Sequence, residues 1–228
     1  MPNGYEINDL VKEDSWRMFR LIGEFVEGFD KLSGIEPAVT IYGSARLKRD
    51  TVLYKQIEQT AKKLGEMGFA IITGGGPGVM EAGNKGAMEA GATSVGLNIE
   101  LPEEQNVNAY TTKSVSFDHF FIRKVMLVKY ASAFIIFPGG LGTMDELSEV
   151  LTLMQTHKIK PFPVILFDSD YWKGFLDWLR HTVLAKGFIS YEDFSLLRVC
   201  DHPDEVTDAV EQWYNKQELM GKPALDDK

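Results

Sequence analysis

The run Ala133-Phe-Ile-Ile-Phe137, followed by Pro138-Gly-Gly-Leu-Gly142 and Thr143-Met-Asp-Glu146, constrains the fold of this chain more than any other feature. An unbroken apolar stretch of this length suits a strand buried on both faces. Pro138 stops the ladder because it has no backbone N–H to donate. Gly139, Gly140 and Gly142 let the backbone come close to another group, with no Cβ in the way. The residues that follow read as a helix over 142–156. Its free N–H groups and positive dipole end point back at the turn. Such a place holds an anion, typically a phosphate. Thr143 adds a hydroxyl donor, and Glu146 adds a carboxylate one turn in. Thr143 and Glu146 also fit a capping box, worth about 1 kcal/mol of helix stability. Spacing alone leaves both readings of Glu146 open.

The pattern recurs along the chain. Phe69-Ala-Ile-Ile-Thr73 runs into Gly74-Gly-Gly-Pro-Gly78 and a helical stretch over 78–90. Ala38-Val-Thr-Ile-Tyr42 runs into Gly43-Ser-Ala-Arg46. Gly43, Ser44, Gly75 and Gly76 therefore join Gly139, Gly140, Gly142 and Thr143 as candidate binding residues. In an open parallel sheet, ligands bind beyond the carboxyl ends of the strands, so these turns converge on one site unless they are three ordinary tight turns.

Strand and helix patterns alternate through the middle of the chain, which predicts an α/β fold with a doubly wound, mostly parallel sheet and helices on both faces. Strands are expected near 38–43, 69–73, 93–98, 133–137, 163–167 and 196–199, and helices near 51–67, 78–90, 118–130, 142–156, 170–185 and 203–217. The stretch 100–116 is less regular. Trp16, Phe19, Ile22, Phe25, Val26 and Phe29 repeat at helical spacing and mark an extra N-terminal helix over about 6–33. That helix packs either on the sheet or on a second subunit, and core packing is the favoured expectation. The reading is one domain over 1–228, with its core at about 38–217 and a frayed tail at 218–228.

Composition narrows the partners. The net charge of −9 disfavours nucleic acid and anionic membrane, and it requires any phosphate to be held by local donors. Cys200 is the single cysteine, which rules out an intrachain disulfide and suits a reducing cytoplasm. The first twenty residues carry Glu6, Asp9, Glu13 and Asp14 and show no leader core. No stretch approaches the roughly 20 apolar residues of a membrane span. His119, His157, His181 and His202 are widely spaced, so no metal site is expected.

The standard nucleotide motifs fail. Gly74 and Gly76 would need a glycine where Val79 stands, and no P-loop lysine pattern occurs. The turns suit a monophosphate held mainly by backbone groups. Arg123 and Lys124 follow Phe120 and Phe121 on an expected helix, where a solvated face or aliphatic stems over apolar surface would also explain them. Glu81 either complements a helix dipole or accepts hydrogen bonds from a ligand. Asp118 reads as a helix N-cap.

Gly74-Gly-Gly-Pro-Gly-Val-Met-Glu81, Phe121-Ile-Arg-Lys124 and Pro138-Gly-Gly-Leu-Gly-Thr-Met-Asp-Glu146 resemble the signatures of the LOG family. These are nucleoside 5′-monophosphate phosphoribohydrolases that were long labelled possible lysine decarboxylases. The resemblance runs from about residue 38 to about 190. It implies a Rossmann-like fold, a nucleoside monophosphate substrate, hydrolysis of the N-glycosidic bond without a cofactor, and at least a homodimer. It implies Arg123 and Glu146 as the catalytic pair, a ligand-binding role for Glu81, and Lys124 as a site neighbour. Molybdenum-cofactor carriers of similar fold provide the rival reading, a nucleotide-like ligand bound without hydrolysis.

Overall fold

The structure, a computed structural model, describes residues 14–100 and 107–221. Seven strands form one sheet: β1 (Ala38–Tyr42), β2 (Ala70–Thr73), β3 (Ser94–Ile99), β4 (Lys113–Phe117), β5 (Ala131–Ile136), β6 (Val164–Phe167) and β7 (Leu197–Cys200). Their order is β4-β3-β2-β1-β5-β6-β7, and every pairing is parallel. The chain winds outward from β1 to one edge, then returns to β5 and winds to the other. The order therefore reverses between β1 and β5, where the strand ends open a crevice.

The helices are α1 (Asp14–Leu32), α2 (Val52–Glu66), α3 (Val79–Glu89), α4 (Phe120–Lys129), α5 (Leu141–Gln155), α6 (Ser169–Trp178), α7 (Tyr191–Phe194) and α8 (Pro203–Gly221). The period of two along each strand sends alternate residues to opposite layers. Val39, Ile41, Ala133 and Ile135 join a core with Ile57, Leu64, Ala82 and Val206 of α2, α3 and α8. Tyr42, Phe134 and Ile136 join the other core, with Leu32, Met126, Leu147, Val150 and Trp172 of α1, α4, α5 and α6. Thr40 lies within β1 and is buried, and its hydroxyl donates to the Leu127 carbonyl in the last turn of α4 at 2.8 Å. Among the described residues, no helix is long and apolar enough to cross a membrane.

Several boundaries depart from the sequence expectation. The expected irregular stretch 100–116 ends in β4, which runs on to Phe117 and is an edge strand with only Val115 and Phe117 turned inward. A half-exposed strand with two apolar residues carries little sequence signal. The helix expected over 170–185 ends at Trp178 and continues as a π-helical turn, Leu179–Leu184. The single turn α7 was not expected, and it is held by a capping box between Ser190 and Asp193. α8 continues to Gly221, past the expected start of the frayed tail at 218. Residues 6–13 of the expected N-terminal helix and residues 222–228 lie outside the described residues.

The N-terminal helix only half fulfils its expected core role. Leu32 is buried, and Leu21 and Phe25 pack against the core, but Trp16, Phe19, Ile22, Val26 and Phe29 are exposed.

α2 and α3 touch at backbone distance. A Cβ on Gly86 would overlap the Glu58 carbonyl and lie 2.9 Å from Lys62 N. Replacing Gly86 with alanine gains about 1 kcal/mol of helix propensity. The overpacking penalty is larger, because both colliding atoms are backbone and cannot rotate away. Gly86→Ala is expected to destabilise the protein by about 2 kcal/mol net, read as a lowered urea midpoint.

Candidate functional site

The three glycine turns meet at the crevice between β1 and β5. Ser44, just after β1, joins them through its backbone. Its N–H donates to the Pro138 carbonyl at 3.0 Å, and its own carbonyl accepts from Val79 N at 3.0 Å. Gly78 has φ +68° and lies so close to Ser44 that a Cβ would overlap the Ser44 carbonyl. A Cβ on Gly74 would lie 3.5 Å from an Arg123 guanidinium nitrogen, which brings the second turn to the α4 side of the crevice.

The glycines separate into two kinds. Gly43, Gly75, Gly76 and Gly139 press on the chain itself. A Cβ on Gly43 would meet Val79, one on Gly76 would meet Met80, and one on Gly75 would overlap the Asn98 amide. A Cβ on Gly139 would overlap the Thr143 hydroxyl, and Tyr171 of α6 donates its phenol O–H to the Gly139 carbonyl. Gly140 and Gly142 instead face open space, with no atom within 4 Å of a built Cβ. Leu141 between them is 90% exposed.

The second turn is fastened by a buried polar network. Asn84 of α3 accepts from Thr73 at 2.6 Å and from Asn108 at 2.9 Å, and it donates to Ser94 at 2.9 Å. Asn108 also donates to the Gly76 carbonyl, and its N–H donates to the Gly75 carbonyl, each at 2.9 Å.

Capping distinguishes the helices around the crevice. α2, α6 and α7 are each capped by a side chain, from Thr51, Asp168 and Ser190. α3, α4 and α5 begin at Gly78, His119 and Gly140, and none has a side-chain cap. The capping-box reading of Thr143 and Glu146 is thereby corrected: Gly140 holds the cap position, so Thr143 lies inside the helix and Glu146 beyond its first turn. Asp118 is corrected in the same way. His119 is the residue at the N-cap of α4, and its N–H donates to Glu24 of α1 at 3.1 Å.

Arg123 of α4 and Glu146 of α5 stand together inside the crevice. The guanidinium is 3.5 Å from Glu146 Oε1, longer than a relaxed charge-assisted hydrogen bond. Glu146 is only 7% exposed. Burial pushes its carboxyl up to about 6, against the pull of Arg123 and Lys124. Burial likewise lowers Arg123 from its usual range, although Glu146 beside it works the other way. Lys124 lies 2.6 Å from Asp145 and 3.1 Å from Glu149, and despite burial these carboxylates raise its ammonium above its ordinary range.

Glu81 sits in the opposite layer. Arg49 contacts its carboxylate at 2.6 Å and the Tyr54 hydroxyl donates to it at 2.8 Å. Burial alone would raise its titration, but these partners hold it below the usual range. Its acceptor capacity is thus turned toward α2 and the loop after β1. Tyr42, Asp145, Glu149 and Tyr171 also belong to this neighbourhood and were not singled out by the sequence. Asp145 lay within the quoted motif, and Glu149 follows Glu146 at a helical spacing, which was the available signal.

A switch-point crevice framed by three glycine turns, with two helices that start on uncapped glycines and a buried arginine–glutamate pair, defines a Rossmann-like α/β protein with a small-molecule site. Residues 80–210 match the family model described as "Possible lysine decarboxylase". This chain belongs to that family, the LOG family. It is 29% identical over 168 residues to the cytokinin riboside 5′-monophosphate phosphoribohydrolase of Rhodococcoides fascians, covering 72% of this chain and 83% of that one. It is 27% identical over 159 residues to the pyrimidine/purine nucleotide 5′-monophosphate nucleosidase of Escherichia coli K12, covering 64% of this chain and 35% of that one. The molybdenum cofactor carrier protein of Chlamydomonas reinhardtii shares the fold at 20% identity, with a TM-score of 0.58 over 78% of this chain and 98% of that one.

The Glu146 titration has a sign for stability. A carboxyl that titrates higher in the folded chain than in the unfolded one opposes folding when ionised. This penalty is absent below the ordinary value of 4.5, grows as pH rises, and is complete above about 6. It amounts to about 2 kcal/mol. The unfolding free energy of the wild type is therefore expected to fall by about 2 kcal/mol relative to Glu146→Gln as the pH rises through this window, measured by urea unfolding of both proteins.

Proposed function

We propose that this protein hydrolyses the N-glycosidic bond of AMP or an N6-modified AMP, releasing the free base and ribose 5-phosphate. The observation that carries this reading is one helix bearing two features. The N-terminus of α5 at Gly140–Thr143 is uncapped and opens on the crevice, while Glu146 lies buried beside Arg123 on the same helix. At 1.5 Å rise per residue, Glu146 stands about 6 Å along the axis from Gly142. That offset suits a ribose held by its 5′-phosphate at the helix start, with its anomeric carbon toward the carboxylate.

Departure of the base leaves positive charge on the ribose. A carboxylate titrating near 6 is ionised at neutral pH and is still basic enough to take a proton from the attacking water. The water oxygen then bonds to the anomeric carbon as the C–N electron pair leaves with the base, and the proton held by Glu146 passes through solvent to the departing nitrogen, which regenerates the carboxylate. Arg123 orients Glu146 and keeps its charge throughout. Backbone N–H groups of α5, with the Thr143 hydroxyl and the Ser44 turn, hold the phosphate. The names of the Rhodococcoides and Escherichia relatives support a nucleotide 5′-monophosphate substrate. The buried Arg123–Glu146 pair favours hydrolysis over a carrier role, which has no use for it. The lone buried Cys200 suits a cytoplasmic location, which belongs to the same reading.

The test is chromatography of the base released from AMP and from N6-isopentenyl-AMP. Glu146→Gln is expected to bind AMP with unchanged affinity and to lose turnover by about a thousand-fold. Adenosine, without the phosphate, is expected to be a poor substrate. A strong preference for the prenylated nucleotide would mark cytokinin activation, and equal rates would mark nucleotide salvage. No release from either, with a pterin retained by the purified protein, would replace this reading with the carrier.

We also propose that the chain self-associates through α1. Trp16, Phe19, Ile22, Val26 and Phe29 line one exposed face of that helix, with spacings of three and four. Gly23 lies within that face and has nothing within 4 Å. An exposed glycine in a helix interior costs about 1 kcal/mol, and close approach of another helix explains it. The complementary surface is a second copy of α1 running antiparallel. Such pairing crosses near Gly23 and brings Arg20 of one helix beside Glu27 of the other at the edge of the stripe. Light scattering is expected to show a dimer or larger assembly, and Ile22→Glu with Val26→Glu to reduce it by one step of association. A monomeric wild type would sink this proposal.

A further inference from the structure

Tyr42 ends β1 at the switch point, and its ring stacks on Phe134 at 6.2 Å with planes 5° apart. The residue is 5% exposed, and its hydroxyl is buried without a hydrogen-bond partner. Arg123 Nε, Glu146 Oε2 and Glu149 Oε2 are buried in the same condition. Glu149 Oε2 differs from the others in having the Lys124 ammonium 3.1 Å away as an ion-pair partner. Apart from Trp172 Nε1, these are all the buried, unpartnered side-chain atoms among the described residues. A buried polar atom without a partner is destabilising, so a cluster of them needs a reason.

The cluster is chemically balanced. The Tyr42 hydroxyl and Arg123 Nε–H donate, and the Glu146 and Glu149 carboxylates accept. Glu146, Glu149 and Arg123 are also the charged groups that bear on the phenol. Lys124 and Asp145, on the same two helices, are already engaged with each other. Packing does not explain the hydroxyl, because a phenylalanine would stack on Phe134 equally well.

We propose that Tyr42 is a positioning residue for Glu146: its hydroxyl, which has no acceptor within direct reach, donates to the Glu146 carboxylate through one bridging water and with Arg123 fixes the orientation of that carboxylate. Glu149 accepts the remaining hydrogen bond of the cluster and closes it. Burial, followed by the two carboxylates, raises the phenol well above its ordinary range, so the hydroxyl keeps its proton at any working pH. A donor to the ionised carboxylate stabilises that form. Tyr42 thereby limits how far burial raises Glu146 and keeps it a usable base at neutral pH. The kinetic consequence rests on the hydrolase reading, whereas the titration of Glu146 does not.

Tyr42→Phe keeps the ring and removes the donor. The Glu146 carboxyl is to be followed by 13C NMR in glutamate-labelled wild type and Tyr42→Phe, with its signal assigned by loss in Glu146→Gln. Its midpoint is expected to rise by about one pH unit in Tyr42→Phe. In parallel, the kcat for AMP is expected to fall about ten-fold with KM little changed, and the acid limb of the kcat/KM profile to move up with the NMR midpoint. An unmoved NMR midpoint, or a rise in KM with kcat unchanged, would overturn the proposal. A shifted midpoint in a protein that releases no base from any nucleotide would support it while removing the hydrolase reading.

Discussion

The backbone of Ser44 accepts from one glycine turn and donates to another, and the arrangement of the crevice hangs on that pair of bonds. Its carbonyl takes the first N–H of α3, and its N–H satisfies the carbonyl of Pro138. Three strand ends are thus set relative to one another without a side chain. The register of β1 on β5 determines where this linkage falls, with Tyr42 beside Ile136 and a shift between Ala38 and Val39. Once β5 and its turn are fixed, α5 can only pack by Leu147, Val150 and Met154, and that face carries Glu146 inward. The burial that disturbs the glutamate is therefore a consequence of how the sheet is closed over by its helices.

Much of this could be read before the structure. The alternation of strands and helices, and the glycine turns after β1, β2 and β5, carry strong local signals, because a parallel sheet demands long apolar runs and its strand ends demand tight exits. The meeting of Arg123 with Glu146 was legible only through the family resemblance, since the two come from different helices. What stayed hidden has physical causes. β4 is an edge strand that buries two side chains. The cap of α5 was misplaced because Thr143 and Glu146 have ideal cap spacing, whereas the helix begins on Gly140, where no side chain competes. The partners of Glu81 come from Arg49 and Tyr54, far away in the chain. Tyr42 reads as an ordinary strand-end aromatic until its hydroxyl is found buried without a partner.

The crevice is not a basin of positive charge. Arg123 and Lys124 are matched by Asp145, Glu146 and Glu149, and the chain as a whole carries −9. Recognition of a negatively charged group by such a protein depends on directed donors at short range, not on a field that reaches into solvent. The price is a site that holds several buried polar atoms in reserve, which fits a region built for chemistry over one built for stability.

The uncapped start of α5 has a consequence for how such a protein can change over time. Its donors are main-chain N–H groups, and no exchange of a side chain can delete them. Leu141, nearly fully exposed between two glycines that face open space, can therefore vary freely while the helix end keeps its aim. A mouth whose walls can be rewritten around a fixed anchor lets new ligands be tried without first losing the old grip.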